Sequence, residues 1–482
     1  MAPTDPIESA VTDLMTRHQW LDALRLLEPA LEIHSRWAAG WLNLGLCWLR
    51  LGRAAQALPA LQQGLALEPH RPGVRLAMAD ACEALGRSEE SLTWCREENH
   101  AFPESIQAWA ALGIALEKRG DRHAEAAYRR GHHLAPDAPD LAAHLGRWLQ
   151  HDHRLEEAVE VMSPALKAHP EHGRLSWQWT VHRFLSGDLT SGLARLDTRW
   201  RAPGFPAPAP MASIPLWQLG EAPSDPILVE PEQGFGDTLQ FLRFLGPLAD
   251  RGHRVWLGIP KALERLVGSL PVERLLTGRE EATSAACRVP LMSLPSRLGL
   301  GSQDISGAPY LRIHHGNESP TRTRRRLRVG LVWRGNPGHL NDRRRSTPLE
   351  LWLPLMRIEG IDWISLQFGA DARAEARAAI DAGIPLQQRS EEFEDFQETA
   401  EHLLGTDLLI TVDTAMAHLA GALGHPVWVL LPYNPDWRWG LTGESTPWYH
   451  SMRLFRQTRL DSWPEPLQQL REALLLRTSA GA

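Results

Sequence analysis

The sequence predicts an α-helical repeat array followed by an α/β region made of two doubly wound halves. Three observations carry that reading. Small residues and prolines recur at a fixed step through the first two hundred residues. A proline-rich segment then interrupts any helix, because proline lacks the amide proton and clashes with the preceding turn. Beyond it, apolar runs, glycine- or charge-rich turns and helical periodicity alternate, the pattern of parallel strands joined by helices. At 482 residues the chain has room for both parts, each with its own core.

The repeat array comes first. Gly45, Ala79, Gly113 and Gly146 are spaced 34, 34 and 33 residues apart; Gly52, Gly86 and Gly120 repeat at 34; Pro69, Pro103, Pro136 and Pro170 repeat at 33 or 34. That step is the tetratricopeptide period, a helix, a turn and a second helix. One repeat shows the internal pattern: Trp41, Leu44, Gly45, Trp48, Gly52, Ala57, Leu61, Gly64 and Pro69, with small residues where helices cross. Ala23, Leu27 and Ala30 mark a degenerate repeat before it, and Trp177 to Arg201, with Gly187 at the turn, an atypical last one that caps the stack. A single repeat cannot bury its apolar face, so the stack is expected to form a superhelix whose concave groove binds a protein or peptide or, alternatively, serves as a spacer or dimerisation arm.

Composition removes several function classes. A formal charge of −7 argues against nucleic-acid or anionic-membrane binding. Cys47, Cys82, Cys95 and Cys287 lack metal-ligand spacing and read as buried thiols of a reducing compartment. No apolar run approaches the ~20 residues of a membrane span, and residues 1–16 lack a basic-then-apolar signal, so a soluble, cytoplasmic protein is expected.

The array is expected to end at residue 201, a connector to fill 202–225, and two α/β halves to occupy 226–320 and 321–482. In the first half, Pro226–Glu230 reads as a strand, Glu232-Gln233-Gly234-Phe235-Gly236-Asp237 as a turn, and Thr238 to Leu248 as a helix, with strands at His253–Gly258 and Arg288–Leu291. A Gly-x-Gly turn between strand and helix lets backbone approach a ligand and exposes helix-start amides. It lacks the third glycine of a dinucleotide fingerprint, and Asp237 is either a functional carboxylate or simply a helix N-cap. The run Thr321 to Arg328, with five arginines, is either a solvated hinge or an anion guide.

The second half opens with the strand Arg328–Trp333. A loop containing Arg334, Asn336, Arg343, Arg344, Arg345 and Ser346 follows, then a helix from Leu349 to Met356. Arginines between a strand and a helix suit a phosphate-bearing ligand. Further on come the strand Trp363–Gln367 and helices Ala372–Ala382 and Asp395–Leu404. The most distinctive stretch is Leu408 to Leu431: a buried strand, the small-residue helix beginning near Asp413, and a second buried strand. Asp413 or Thr414 is the natural N-cap, leaving free amides that can hold a pyrophosphate, and His418 projects from the same face as Thr414. An ordinary capped helix in an α/β core has the same local pattern. Two Rossmann-like halves place a ligand in the crevice at the strand C-termini.

The segments Glu232–Phe241, Gly330–Asn336, Arg345-Ser346, Ser365–Gln367 and Val412–Ala422 together resemble bacterial tetratricopeptide-repeat glycosyltransferases, whose catalytic half is similar to the family 9 heptosyltransferases with their GT-B fold. The layout also looks like that of protein O-GlcNAc transferase. The resemblance implies an inverting transferase with a nucleotide-sugar donor on the C-terminal half and the acceptor on the N-terminal half. It makes Asp237 the general base. Arg345, where heptosyltransferases carry lysine, would meet the donor phosphates, and Asp413 and Thr414 would hold the diphosphate or ribose with His418 in support. Gly234, Gly236, Arg334, Asn336, Ser346 and Gln367 complete the implied donor site. No Asp-x-Asp motif is present, so no metal or other cofactor is expected, and leaving-group charge would fall to arginines and a helix end. Ala415 replaces a usual glycine, and the Pro432–Trp439 loop departs from the heptosyltransferases. Trp437, Trp439 and Trp448 there are read as packing residues or as a stacking surface.

The favoured expectation is a glycosyltransferase that uses its repeat groove to select a protein acceptor. The alternatives are a transferase acting on lipopolysaccharide or another glycan, and a non-catalytic repeat scaffold with a degenerate GT-B domain.

Overall fold

The computed structural model describes residues 5–205, 214–277, 284–313, 326–339, 341–389 and 393–480. Residues 206–210 of the proline-rich connector and 321–325 of the arginine run fall outside the described residues. The chain divides into two compact units, Met1–Gln178 and Trp179–Ala482.

Among the described residues, every regular element up to Arg201 is helical. Asp5–Thr16 pairs with Trp20–Ile33, Ala38–Arg50 with Ala54–Leu67, Val74–Ala84 with Ser88–Ala101, Ile106–Lys118 with His123–Leu134, and Pro139–His151 with Leu155–Ala168. The periodic small residues do what the spacing requires. A Cβ on Gly45 would lie 2.6 Å from Leu61 Cγ, and one on Gly113 2.3 Å from the Tyr128 ring. Gly52 follows a helix end with a φ of +74°, a left-handed conformation that glycine adopts without a steric penalty. Ala23, Leu27 and Ala30 are buried on Trp20–Ile33, so the degenerate first repeat has a complete helix pair. The four cysteines are free and buried, and burial pushes Cys47 up to about 11 and Cys95 to about 12, which keeps them as unreactive thiols.

In the second unit, two wholly parallel sheets stand in sequence. The first holds β1 (Ile227–Glu230), β2 (Val255–Gly258), β3 (Arg274–Leu276) and β4 (Cys287–Pro290) in the order β3-β2-β1-β4. The second holds β5 (Leu327–Val332), β6 (Ile361–Ser365), β7 (Leu386–Gln388), β8 (Leu408–Val412), β9 (Val427–Leu431) and β10 (Met452–Arg456), ordered β10-β9-β8-β5-β6-β7. β8 and β9 are buried along their whole length, which is why they read as continuous apolar runs rather than alternating ones. The larger core carries Trp333, Trp352 and Trp363 without exposure. Trp352 keeps its indole satisfied by donating Nε1 to Thr347 Oγ1 at 2.8 Å.

Each sheet reverses direction once, between β1 and β4 in the first and between β5 and β8 in the second. At such a reversal the loops leaving neighbouring strands part in opposite directions and open a crevice at the strand C-termini. Those loops carry the residues singled out by the sequence.

Candidate functional site

The turn after β1 leads into the helix Phe235–Phe241. Gly234 is its N-cap and Asp237 occupies the third helical position, which corrects the N-cap reading of Asp237. Its Oδ2 reaches back to accept from Gly234 N at 2.9 Å. Helix-start carboxylates take this geometry because the amides there lack partners along the chain. Gly236 marks where the two α/β lobes meet: a Cβ there would lie 3.0 Å from His418 Cδ2 and 3.6 Å from Ala415 Cα. A side chain there would push His418 aside by a few tenths of an ångström. The same turn is fastened from the chain segment before it. Arg199, fully buried, donates through Nη2 to both carboxylate oxygens of Glu232 at 2.8 and 2.6 Å and to Ser293 Oγ at 2.9 Å, and through Nη1 to Asp197 Oδ1 at 2.9 Å. Trp200 Nε1 adds a donor to Glu232 at 3.0 Å.

After β8, Thr414 rather than Asp413 caps the helix Ala415–Leu423, accepting from Met416 N at 3.2 Å. One turn along, His418 is buried, hydrogen-bonded through Nδ1 to Tyr449 Oη at 2.9 Å and stacked on Trp439 with ring centroids 5.1 Å apart. Burial, followed by the nearby Arg438, Arg243 and Arg345, lowers its pKa well below 6.5, so the ring is neutral at physiological pH. Asp413 is buried as well. Desolvation and the neighbouring Asp436 push its carboxyl up to about 6, against the pull of Arg345, Trp439 and Arg438.

The loop after β5 is braced by Gln367. Its Oε1 accepts from Trp333 N and Arg334 N, both at 2.9 Å, while Nε2 donates to Arg334 O at 3.1 Å and Phe368 O at 2.9 Å. Gln367 therefore shapes the loop with every polar atom engaged. Ser346 and Arg345 are gathered by Asp342, whose Oδ1 accepts from Ser346 Oγ at 2.9 Å and Arg345 Nε at 3.3 Å; Ser346 Oγ in turn accepts from Gly335 N at 2.8 Å. A Cβ on Gly335 would sit 2.5 Å from Asp342 and 2.7 Å from Arg345, so glycine is needed for the loop to close on this pair. Asn336 Oδ1 accepts from Gly338 N at 2.9 Å and shapes the same loop. Arg334 turns away to Glu375, 3.0 Å from its guanidinium.

Sequence reasoning passed over three members of this cluster. Arg438, from the loop after β9, donates Nη2 to Asp237 Oδ1 and Nη1 to Asp436 Oδ1 at 2.8 Å, and its Nε lies 2.5 Å from Gln240 Oε1. Its guanidinium stacks 4.1 Å over Trp437. Burial alone would lower its pKa, but Asp436 and Asp237 outweigh that and raise it, so Arg438 is a fixed cation. His339 lies in the same field: desolvation and then Arg345 lower its pKa, against Asp436, Asp237 and Asp342. The local signal for Arg438 and Asp436 was the unusual Pro432–Trp439 loop, but nothing in the sequence tied it to Asp237, some two hundred positions earlier.

Asp237, Gly236, Arg345, Asp413, Thr414 and His418 thus gather with Arg438, Asp436 and His339, whereas Arg334 points elsewhere and Gln367, Ser346 and Asn336 build the loop. Trp437 and Trp448 pack edge to face, and Trp437 also stacks on Phe184 at 4.0 Å, so these rings serve packing. Arg243 adds a bracket between the lobes, donating to Trp448 O at 2.7 Å and Ser306 O at 3.1 Å. Among the described residues, no group of three or more His, Cys, Asp or Glu is placed to hold a metal ion, and no helix is long and apolar enough to cross a membrane. The arrangement brings a helix-start carboxylate, buried guanidinium groups and an amide-rich helix end together. These are the parts needed to bind an oxyanion and to take a proton from a hydroxyl.

Two family models, both described as tetratricopeptide repeat, match residues 9–72 and 49–114. The N-terminal array is therefore a tetratricopeptide-repeat solenoid. The chain is 23% identical over 536 aligned residues to Protein FlbA of Caulobacter vibrioides, spanning 94% of this chain and 86% of that protein. It is 41% identical over 71 residues to the Hsp70-Hsp90 organizing protein of Triticum aestivum, covering 15% of this chain and 12% of that one. Among solved structures, a thermophilic tetratricopeptide-repeat protein of Thermus thermophilus aligns with a TM-score of 0.33 at 22% identity, covering 37% of this chain and 97% of its own.

Proposed function

We propose that the α/β unit is an inverting, metal-independent glycosyltransferase of the GT-B type, and that the repeats select its protein acceptor. The observation that carries this reading is the meeting of switch-point connections from separate parallel sheets, with Asp237 after β1, Arg345 after β5, and Thr414 and His418 after β8. In that reaction the acceptor hydroxyl gives its proton to Asp237 and its oxygen attacks the anomeric carbon. The bond from that carbon to the diphosphate breaks, and the nucleoside diphosphate leaves. Arg345 and the Thr414 helix end answer the charge that develops on the leaving group. The neutral His418 can accept or donate a hydrogen bond there without adding charge.

A second reading, a non-catalytic scaffold, is favoured by one observation: both oxygens of Asp237 are already engaged, one by Gly234 N and one by Arg438. Screening nucleotide sugars for a rise in melting temperature separates the two, since a ligand that binds only the folded state stabilises it. One nucleotide sugar should stabilise the protein, and Arg345→Ala should weaken its binding by about 1.5–3 kcal/mol, the range for a charge-assisted contact. If no nucleotide sugar bound, the scaffold reading would stand. Unchanged affinity in Arg345→Ala would remove that residue from the donor site.

A further inference from the structure

Arg438 joins three side-chain partners, and they divide unequally. Asp436 belongs to its own loop, accepts from the Arg438 backbone amide at 3.0 Å as well as from Nη1, and so holds the arginine in place from behind. Asp237 and Gln240 belong to the opposite lobe. Of the two carboxylates, only Asp237 must move for the lobes to part or for another anion to enter. One buried polar atom beside this cluster lacks a hydrogen-bond partner: Gln240 Nε2, on the amide whose oxygen meets Arg438. It is an N–H donor left open in a protein interior, where an unmade hydrogen bond is costly.

We propose that Arg438 is a diphosphate-binding latch: it covers Asp237 while the crevice is empty, and the diphosphate of the donor takes its guanidinium and so frees the carboxylate. The proposal rests on the glycosyltransferase reading and adds to it the residue that links donor binding to release of the base. A planar guanidinium fork suits the exchange, because the edge that meets a carboxylate also meets a phosphate, with Gln240 able to add a neutral donor. Asp436 stays bound throughout, so Arg438 keeps one carboxylate partner in either state.

Isothermal titration of the full chain with inorganic pyrophosphate and with ADP, GDP, CDP and UDP tests this. Asp237→Asn removes the competing anion but keeps an oxygen for Gly234 N, so it should bind pyrophosphate and the cognate diphosphate about threefold tighter or more, as freeing a masked site requires. Arg438→Gln should bind them roughly tenfold weaker or worse, and Asp237→Asn should no longer tighten binding in that background. Arg438→Lys keeps the charge without the fork and should also lose affinity, which covers the case in which Arg438→Gln fails to fold. If the unmodified protein binds a diphosphate and Asp237→Asn binds it no tighter, the latch is overturned while the donor site stands. Wild-type affinity in Arg438→Lys would likewise overturn the role of the fork. Absence of binding by both the unmodified protein and Asp237→Asn would overturn the latch together with the transferase reading.

Discussion

The turn after β1 and the loop after β5 solve the same problem with different chemistry. In the four-stranded lobe, the turn after β1 is held by charge: Glu232 is met by Arg199, which is fully buried, and by Trp200 Nε1. In the six-stranded lobe, the loop after β5 is held by a neutral amide, Gln367, paired with four backbone groups. The carboxyl groups of the two lobes differ accordingly. Asp237 faces a guanidinium from across the crevice, whereas Asp413 is buried beside another carboxylate and raised to about 6. The first lobe therefore holds its carboxyl group in a fixed place against a guanidinium, and the second presents cations and a carboxyl able to hold a proton. On the proposed transferase reading, the first lobe takes the proton and the second meets the anionic leaving group.

If that division holds, its clearest break comes at Asp237. Asp237→Asn should lower turnover roughly 10²–10⁴-fold, the share of a general base, without loss of donor affinity. Turnover with the natural acceptor is the measurement, and near-normal turnover would move the base elsewhere, with Glu232 the next carboxylate on that turn.

The charge-held turn should also be the more fragile. Arg199→Met leaves Glu232 facing an apolar chain in a buried pocket, and breaking such a pair costs about 3–5 kcal/mol. Arg297, 2.6 Å from Asp197, keeps that second carboxylate answered and places the cost on Glu232. Urea unfolding followed by tryptophan fluorescence should show the loss; a change under 1 kcal/mol would mean that the turn holds itself.

What could be read in the sequence follows the same physical lines. The repeats were legible because their contacts are local and periodic, so Gly45 meets Leu61 and Gly113 meets Tyr128 within one helix pair. β8 and β9 were legible because they are buried on both faces. The strands that went unread, β3, β7 and β10, are all edge strands. Arg274, Gln387 and Arg453 interrupt their apolar runs, as partial exposure permits. At the site, Asp237, Thr414 and His418 could be found from position alone, since each stands on the first turn or so of a helix that follows a strand. Arg438 could not, because its importance lies in a contact spanning two lobes. Gln367 stands out in the sequence, but its side chain faces backbone, an orientation that spacing does not encode.

The smallest expected effect lies at Asp413 and tests the other side of the comparison. The groups that act on it are Asp436, Arg345, Trp439 and Arg438. In the unfolded chain the carboxyl titrates at its ordinary value near 3.8, and in the folded protein at about 6. Below the lower value both states hold the proton and the group contributes nothing to pH dependence. Between the two, the folded state keeps a proton that the unfolded state has released, so stability falls as pH rises through this window. Above about 6 the buried carboxylate is ionised and its full cost is present. Asp413→Asn removes the titration, so it should be more stable than the parent by about 1–3 kcal/mol at pH 7.5, with the advantage vanishing near pH 4. Urea midpoints at the two pH values measure it. An advantage of equal size at both would show that Asp413 is ionised throughout, as matched by its arginines as Glu232 is by Arg199, and the contrast between the two loops would disappear.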